Sequence, residues 1–97
     1  MRYSIHPEAQ GDLRDAAEFY RERAGNTLSQ SFLAEFEQGI ETLLQHPGLG
    51  RLWRNDKRRY RLKRFAYSLV YAVSGEDIRI FAVAHHNRRP GYWRGRT

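Results

Sequence analysis

Hydrophobic periodicity switches once along this chain, from a helical repeat to near-continuous β-forming runs, and that switch constrains the fold more than any other feature. Ala9, Leu13, Ala16, Ala17, Tyr20 and Ala24 recur at three- and four-residue steps and define one apolar stripe. His6-Pro7-Glu8 reads as its start, because proline's fixed φ suits the first helical position and an acid there complements the helix dipole. Gly25-Asn26 reads as its stop. Leu28, Phe32, Leu33, Phe36, Ile40, Leu43 and Leu44 form a wider second stripe, ended by His46-Pro47 and Gly48. Two helices joined by about four residues are expected to pack as an antiparallel hairpin, with Ala16 and Ala17 allowing close approach. Aromatics inside these stripes follow the helix period and read as core, not as a cofactor site.

Beyond residue 50 the pattern is extended. Tyr60-Arg61-Leu62-Lys63-Arg64-Phe65 alternates apolar and basic residues, as a half-exposed strand does. Tyr67 to Val73 and Ile78 to Ala84 are rich in β-formers and flank Ser74-Gly75-Glu76-Asp77, the pattern of a hairpin. Arg2 to Ile5 supplies a short first strand. This order predicts a two-layer α+β fold, β-α-α-β-β-β, with a helical hairpin packed on a small, mainly antiparallel sheet. Residues 1–97 suit one domain. Cysteine is absent and the four histidines lack metal-ligand spacing, so neither a metal nor a cofactor is expected. No apolar run approaches the roughly 18 residues of a membrane span, and no signal-peptide core opens the chain. A cytoplasmic protein without membrane contact is expected.

Charge is segregated. Residues 1–50 carry eight acids and four Lys or Arg, whereas residues 51–97 carry three acids and thirteen Lys or Arg, within an overall net charge of +6. Such a field attracts polyanions, meaning nucleic acid or an acidic protein segment. Its densest part is Arg51, Arg54, Lys57, Arg58, Arg59, Arg61, Lys63 and Arg64, opposed only by Asp56. Charges on an edge strand also discourage edge pairing, but that purpose needs only a few of them. Guanidinium groups dominate the set and make bidentate bonds to phosphate or carboxylate, so a binding surface is the better reading.

A second constellation, HHNRRPGYWRGR, closes the chain from residue 85 to residue 96. His85 and His86 stand where the apolar strand runs out, Arg88 and Arg89 follow, and Pro90-Gly91 turns the chain toward Tyr92 and Trp93. A ribonuclease needs a general acid or base near neutrality and a cation on the scissile phosphate, so His85, His86 and Arg88 are its candidate catalytic residues. Aromatics could stack exposed bases, or Trp93 could fold back onto the hydrophobic sheet. Arg58, Arg59, Arg61, Lys63, Arg64, Arg88, Arg89, Tyr92 and Trp93 are the candidate target-binding set.

The segments HPEAQGDLRDAAEFY, FLAEFEQGIETLLQHPGLGR, RLKRFAYSLVYAV and IRIFAVAHHNRRPGYW, in that order, resemble the RelE/ParE superfamily of type II toxins. The resemblance covers almost the whole chain. It rests on an acid-alanine-aromatic first helix, a second helix ending in HP-x-x-G, an R-F-x-Y strand start and an AVxH-x-x-R-x-P-x-[YW] ending. It implies a toxin paired with a cognate antitoxin, encoded beside it, that presents an acidic or partly disordered segment. RelE-like members cut mRNA on the ribosome, whereas ParE-like members inhibit DNA gyrase. In RelE-like nucleases an arginine commonly occupies the strand position matched here by Ser68, and Arg88 matches a catalytic arginine. The long helical hairpin and the HxxR ending are more similar to ParE, which implies a non-enzymatic gyrase inhibitor. The alternatives are a ribosome-dependent endoribonuclease and, from the charge alone, a non-toxic nucleic-acid-binding accessory domain.

Overall fold

Strand β1 (Arg2–Ile5) leads through His6 into helix α1 (Pro7–Ala24), and Gly25 alone separates α1 from α2 (Asn26–Gln45). The computed structural model describes residues 1–53 and 56–97, so Arg54 of the basic stretch lies outside the described residues. His6 caps α1 with its imidazole, Nδ1 accepting from the Glu8 N–H at 3.0 Å. The joint between the helices is shorter than the turn expected from the sequence, and Asn26 already belongs to α2. Gly25 adopts φ 90°, a left-handed conformation costly for any residue with a Cβ, and so reverses the chain without a loop. Across the hairpin the Ser29 hydroxyl donates to the Ala17 carbonyl at 2.8 Å.

The remaining strands are β2 (Arg51–Leu52), β3 (Arg58–Arg61), β4 (Tyr67–Ser74) and β5 (Asp77–His85), in a sheet ordered β1-β5-β4-β3-β2. Only β1 with β5 is parallel. The two-layer α+β, mainly antiparallel architecture is the expected one, with β2 as an addition too short to show a period. β3 stops at Arg61, earlier than the alternation through Phe65 implied. Leu62 and Phe65 instead turn into the core, at 5% and 8% exposure, and the chain bends between them.

One face of the sheet meets the helices. Leu69, Tyr71, Ile78, Ile80 and Val83 pack against Phe32, Phe36, Ile40 and Leu43. At one end Tyr20, Phe32, Phe65 and Tyr67 form an aromatic cluster, with Tyr20–Phe65 and Phe32–Tyr67 centroids both 5.2 Å apart. Full burial of a phenylalanine ring such as Phe32 contributes about 1.5–3 kcal/mol.

The HP-x-x-G motif has a structural explanation. The buried Tyr71 hydroxyl donates to the Pro47 carbonyl at 2.7 Å and accepts from the Gly50 N–H at 2.8 Å, which ties the loop after α2 to the middle of the sheet. A Cβ at Gly50 would stand 2.6 Å from that hydroxyl, so the approach requires glycine. Arg58 completes the clamp by donating to the Gly48 and Gly50 carbonyls.

The second face of the sheet is covered by the C-terminal segment. A β-bulge sets its register: Val70 pairs with Ala82 and Tyr71 with Ile80, leaving Phe81 as the extra residue. Ala82 consequently joins Val70 and Trp93 in a separate buried cluster, while Val83 returns to the helix side. Among the described residues no helix is long and apolar enough to cross a membrane.

Candidate functional site

The tail that the sequence left open as a surface element is docked, and Asp12 of α1 docks it. β1 pairs with β5 only as far as Ile80, so the backbone of β5 beyond that point has no strand neighbour on this side. Asp12 accepts from the Val83 N–H at 3.1 Å, and Arg96 donates to the Phe81 carbonyl at 2.9 Å. The two side chains also bond each other at 2.6 and 3.2 Å, with side-chain exposures of only 10% and 11%. The Tyr92 hydroxyl donates to the same carboxylate at 3.1 Å. Burial, followed by the Asp12 charge, pushes the Tyr92 phenol up to about 12, so it remains a donor at physiological pH. In the sequence Asp12 is one polar residue among several between the apolar positions of the first helix. Its partner is 84 residues away, and no local pattern signals such a pairing.

Trp93, expected among the target-binding residues, is 4% exposed and packs on Val70 and Ala82, with its ring 5.5 Å from Trp53. Its indole therefore fills the second face of the sheet instead of presenting an open stacking surface. Tyr92 is half-buried, and the Arg88 guanidinium lies 3.8 Å above its ring.

The basic residues divide into two groups. Arg58 is bound to the loop carbonyls, and Arg64 is bound to Glu35 through both its backbone N–H and its Nε, each at 2.9 Å. Burial tends to raise the Glu35 pKa, but these Arg64 bonds outweigh it and hold the carboxyl below its ordinary value. Lys63 is exposed and lies past the end of β3, so strand alternation does not align it with Arg61. In contrast, Arg59 and Arg61 pair with Val70 and Ser68 and so share the tail-covered face. There Arg59 lies over Trp53 at 5.2 Å, and Arg59, His85, His86, Arg88 and Arg89 border one recess of about 50 Å³ with Ser68 at its wall.

The histidines part company. His85 stacks edge-on against Tyr67, 4.9 Å away on the helix side, and its Nδ1 accepts from the Asn87 N–H. His86 turns to the other face, where its Nε2 is 3.0 Å from the hydroxyl of buried Ser68. The imidazole is only partly desolvated, since the residue as a whole is exposed. That partial burial, then repulsion from Arg61 and Arg59, lowers the His86 pKa below its ordinary 6.5. The unfolded chain therefore takes up this proton more readily than the folded one. The stability contributed here is complete above about 6.5 and is lost as pH falls through that value toward the folded-state pKa. Thermal melts of wild type and His86→Gln from about pH 8 to pH 5 should show a smaller acid loss in the variant. Equal losses would assign the effect to other groups.

Among the described residues no cluster of His, Asp or Glu could hold a metal ion. The fold and the face together define a small, basic α+β protein whose arginines on β3 and on the C-terminal segment stand on one face of the sheet. The chain matches the profile of the ParE toxin of type II toxin-antitoxin systems, parDE, over residues 3–90. It belongs to that family. Among solved structures it is similar to one described as a chromosomal ParDE TA system from P. aeruginosa, with a TM-score of 0.77 at 20% identity, covering 88% of this chain and 95% of that one. No curated protein matches the chain.

Proposed function

We propose that this toxin arrests growth by binding DNA gyrase without catalysing a reaction, and that a cognate antitoxin neutralises it. The observation that carries the reading is the arrangement of the three candidate catalytic residues. His85 and His86 face opposite sides of the sheet, and His86 is engaged by Ser68, where a nuclease of the wider superfamily commonly has an arginine. Arg88 is stacked on Tyr92. Acid-base cleavage of RNA needs a proton acceptor and a cation free to converge on one phosphodiester; here both histidines and Arg88 border one recess, but each is already engaged, His85 by Tyr67, His86 by Ser68 and Arg88 by Tyr92. Inhibition by binding needs only complementary charge and shape. For the antitoxin, exposed Phe19, Leu28 and Leu52 on the helix side offer apolar anchors to an acidic, partly disordered segment that folds on contact.

A supercoiling assay run beside a primer-extension map of mRNA on translating ribosomes tests the target. Purified toxin should block supercoiling or trap cleaved DNA and leave mRNA intact. Codon-phased cuts that vanish in His86→Ala, with gyrase unaffected, would overturn the reading. Arg88→Ala should abolish growth inhibition while changing stability by no more than about 1 kcal/mol, because an exposed cation–π contact is worth little more. Co-purification with the product of the adjacent reading frame tests the antitoxin, and recovery of bare, fully toxic protein would exclude it.

A further inference from the structure

The two faces of this molecule differ in what a partner could hold. The large apolar side chains that remain exposed are Met1, Tyr3, Phe19, Leu28, Leu49, Leu52 and Val73. Strand register puts Tyr3, Leu52 and Val73 on the helix side of the sheet, and the others belong to the helices, a loop and the N-terminus. None stands on the tail-covered face. Register also puts Arg51, Arg79 and Asp77 on that face, and around Ser68 and His86 the face presents Arg59, Arg61, Arg88 and Arg89. Among the described residues these four arginines form no ion pair, whereas Arg64 and Arg96 are each held by acids.

A disordered protein segment that folds on binding needs apolar anchors to offset its ordering entropy. Among the described residues the one mainly apolar cavity on this face, about 520 Å³ beside Ala72, Arg79 and Phe81, lies at the hairpin end of the sheet, away from these arginines. The sugar-phosphate backbone of a nucleic acid needs no such anchor. It offers repeated, already ordered negative charges, for which arginine forks are the matching donors. We propose that the tail-covered face is a phosphate-backbone site for duplex DNA, with Arg59, Arg88 and Arg89 around the Ser68–His86 recess as its centre and Arg61 at its flank. The recess, about 50 Å³, admits one phosphoryl oxygen group and excludes a base. Trp93 and Trp53 line it, with ring centroids 5.5 Å apart. The site therefore takes DNA by its backbone and carries no base-sequence preference. The proposal rests on the gyrase reading and deepens it: this face touches the DNA segment held by the enzyme, leaving the helix side for protein.

Fluorescence anisotropy with the full-length toxin and a labelled short DNA duplex tests it, with a labelled polyglutamate peptide as the acidic-protein probe. Binding to the duplex should be independent of base sequence. Its logarithm should fall with the logarithm of salt at a slope of about −3 to −4, losing roughly one unit for each arginine removed. The triple variant Arg59→Gln/Arg88→Gln/Arg89→Gln should lose about tenfold or more in DNA affinity at fixed salt. Arg14→Gln/Arg21→Gln/Arg23→Gln, which removes the same charge from α1, should keep it. Equal losses in both variants would reduce the effect to net charge and overturn the proposal, as would tighter binding to polyglutamate than to DNA. Supercoiling assays on the same proteins separate the two readings. A triple variant that binds no DNA yet still inhibits gyrase overturns the claim that this face touches the DNA held by the enzyme and leaves the gyrase target standing. Arginine-dependent DNA binding without gyrase inhibition does the reverse.

Discussion

Replacing Asp12 by alanine is expected to destabilise the protein by about 3 kcal/mol, because it leaves the largely buried Arg96 guanidinium with only the exposed Glu8 carboxylate, 3.5 Å away, as counter-ion. In a domain of this size that corresponds to a fall in melting temperature of more than about 10 °C. The carboxylate also serves the Val83 N–H and the Tyr92 hydroxyl, so three donors lose an acceptor together. Arg96→Ala should be damaging for the converse reason, since it leaves Asp12 charged in the same place. The double variant should be far less damaging than the sum of the singles, with a coupling of about 2–3 kcal/mol. An apolar pair, Asp12→Leu with Arg96→Met, is the informative control. Buried ion pairs are often replaceable by hydrophobic residues at little cost, but here the pair also completes the backbone of β5. The Val83 N–H and the Phe81 carbonyl would be stranded, at about 1–3 kcal/mol for each such group. Strictly additive losses in equilibrium denaturation would mean that Asp12 and Arg96 are not coupled.

Trp93→Ala should cost a similar amount, about 3–5 kcal/mol, through lost apolar contact and the cavity left behind. The indole closes the cluster over Val70 and Ala82 and supports Trp53, so its removal should also move Trp53 into a more polar environment. Urea denaturation gives the first quantity, and the emission wavelength of the remaining tryptophan gives the second. A variant with wild-type stability but no toxicity would make Trp93 a contact residue after all. These two substitutions act through folding, whereas Arg88→Ala is expected to act through the target. Comparing soluble yield and melting temperature with growth arrest therefore tells docking of the tail from use of the tail.

The two layers, the helical hairpin and the central strands were legible in the sequence because each depends on the spacing of neighbouring residues. Ala9 to Leu44 repeat at the helix period, and Tyr67 to Val73 and Ile78 to Ala84 are nearly continuous apolar runs, as strands buried on one face and partly covered on the other must be. The segregation of arginine into the second half was equally plain. Composition, however, counts charges and does not say which are engaged. Arg58 and Arg64 look no different in sequence from Arg59 and Arg61. Carbonyls of the loop after α2 hold the first, Glu35 on α2 holds the second, and strand register turns the other two together.

Orientation was decided by tertiary structure throughout the closing segment. His85 and His86 are adjacent, so whichever side one faces the other opposes, but only the bulge at Phe81 sets which of them meets Ser68. Whether HHNRRPGYWRGR was a tail or part of the core depended on a carboxylate in the first helix. Asp12 reads as one polar residue among several on α1, and it becomes structural only because β1 stops pairing at Ile80 and leaves β5 with backbone groups to satisfy. Local periodicity determined the elements of this protein. Which residues of its basic half are free to meet a target was decided by contacts between groups as much as 84 residues apart, where a buried polar atom must find a partner and sequence spacing carries no record of which one it found.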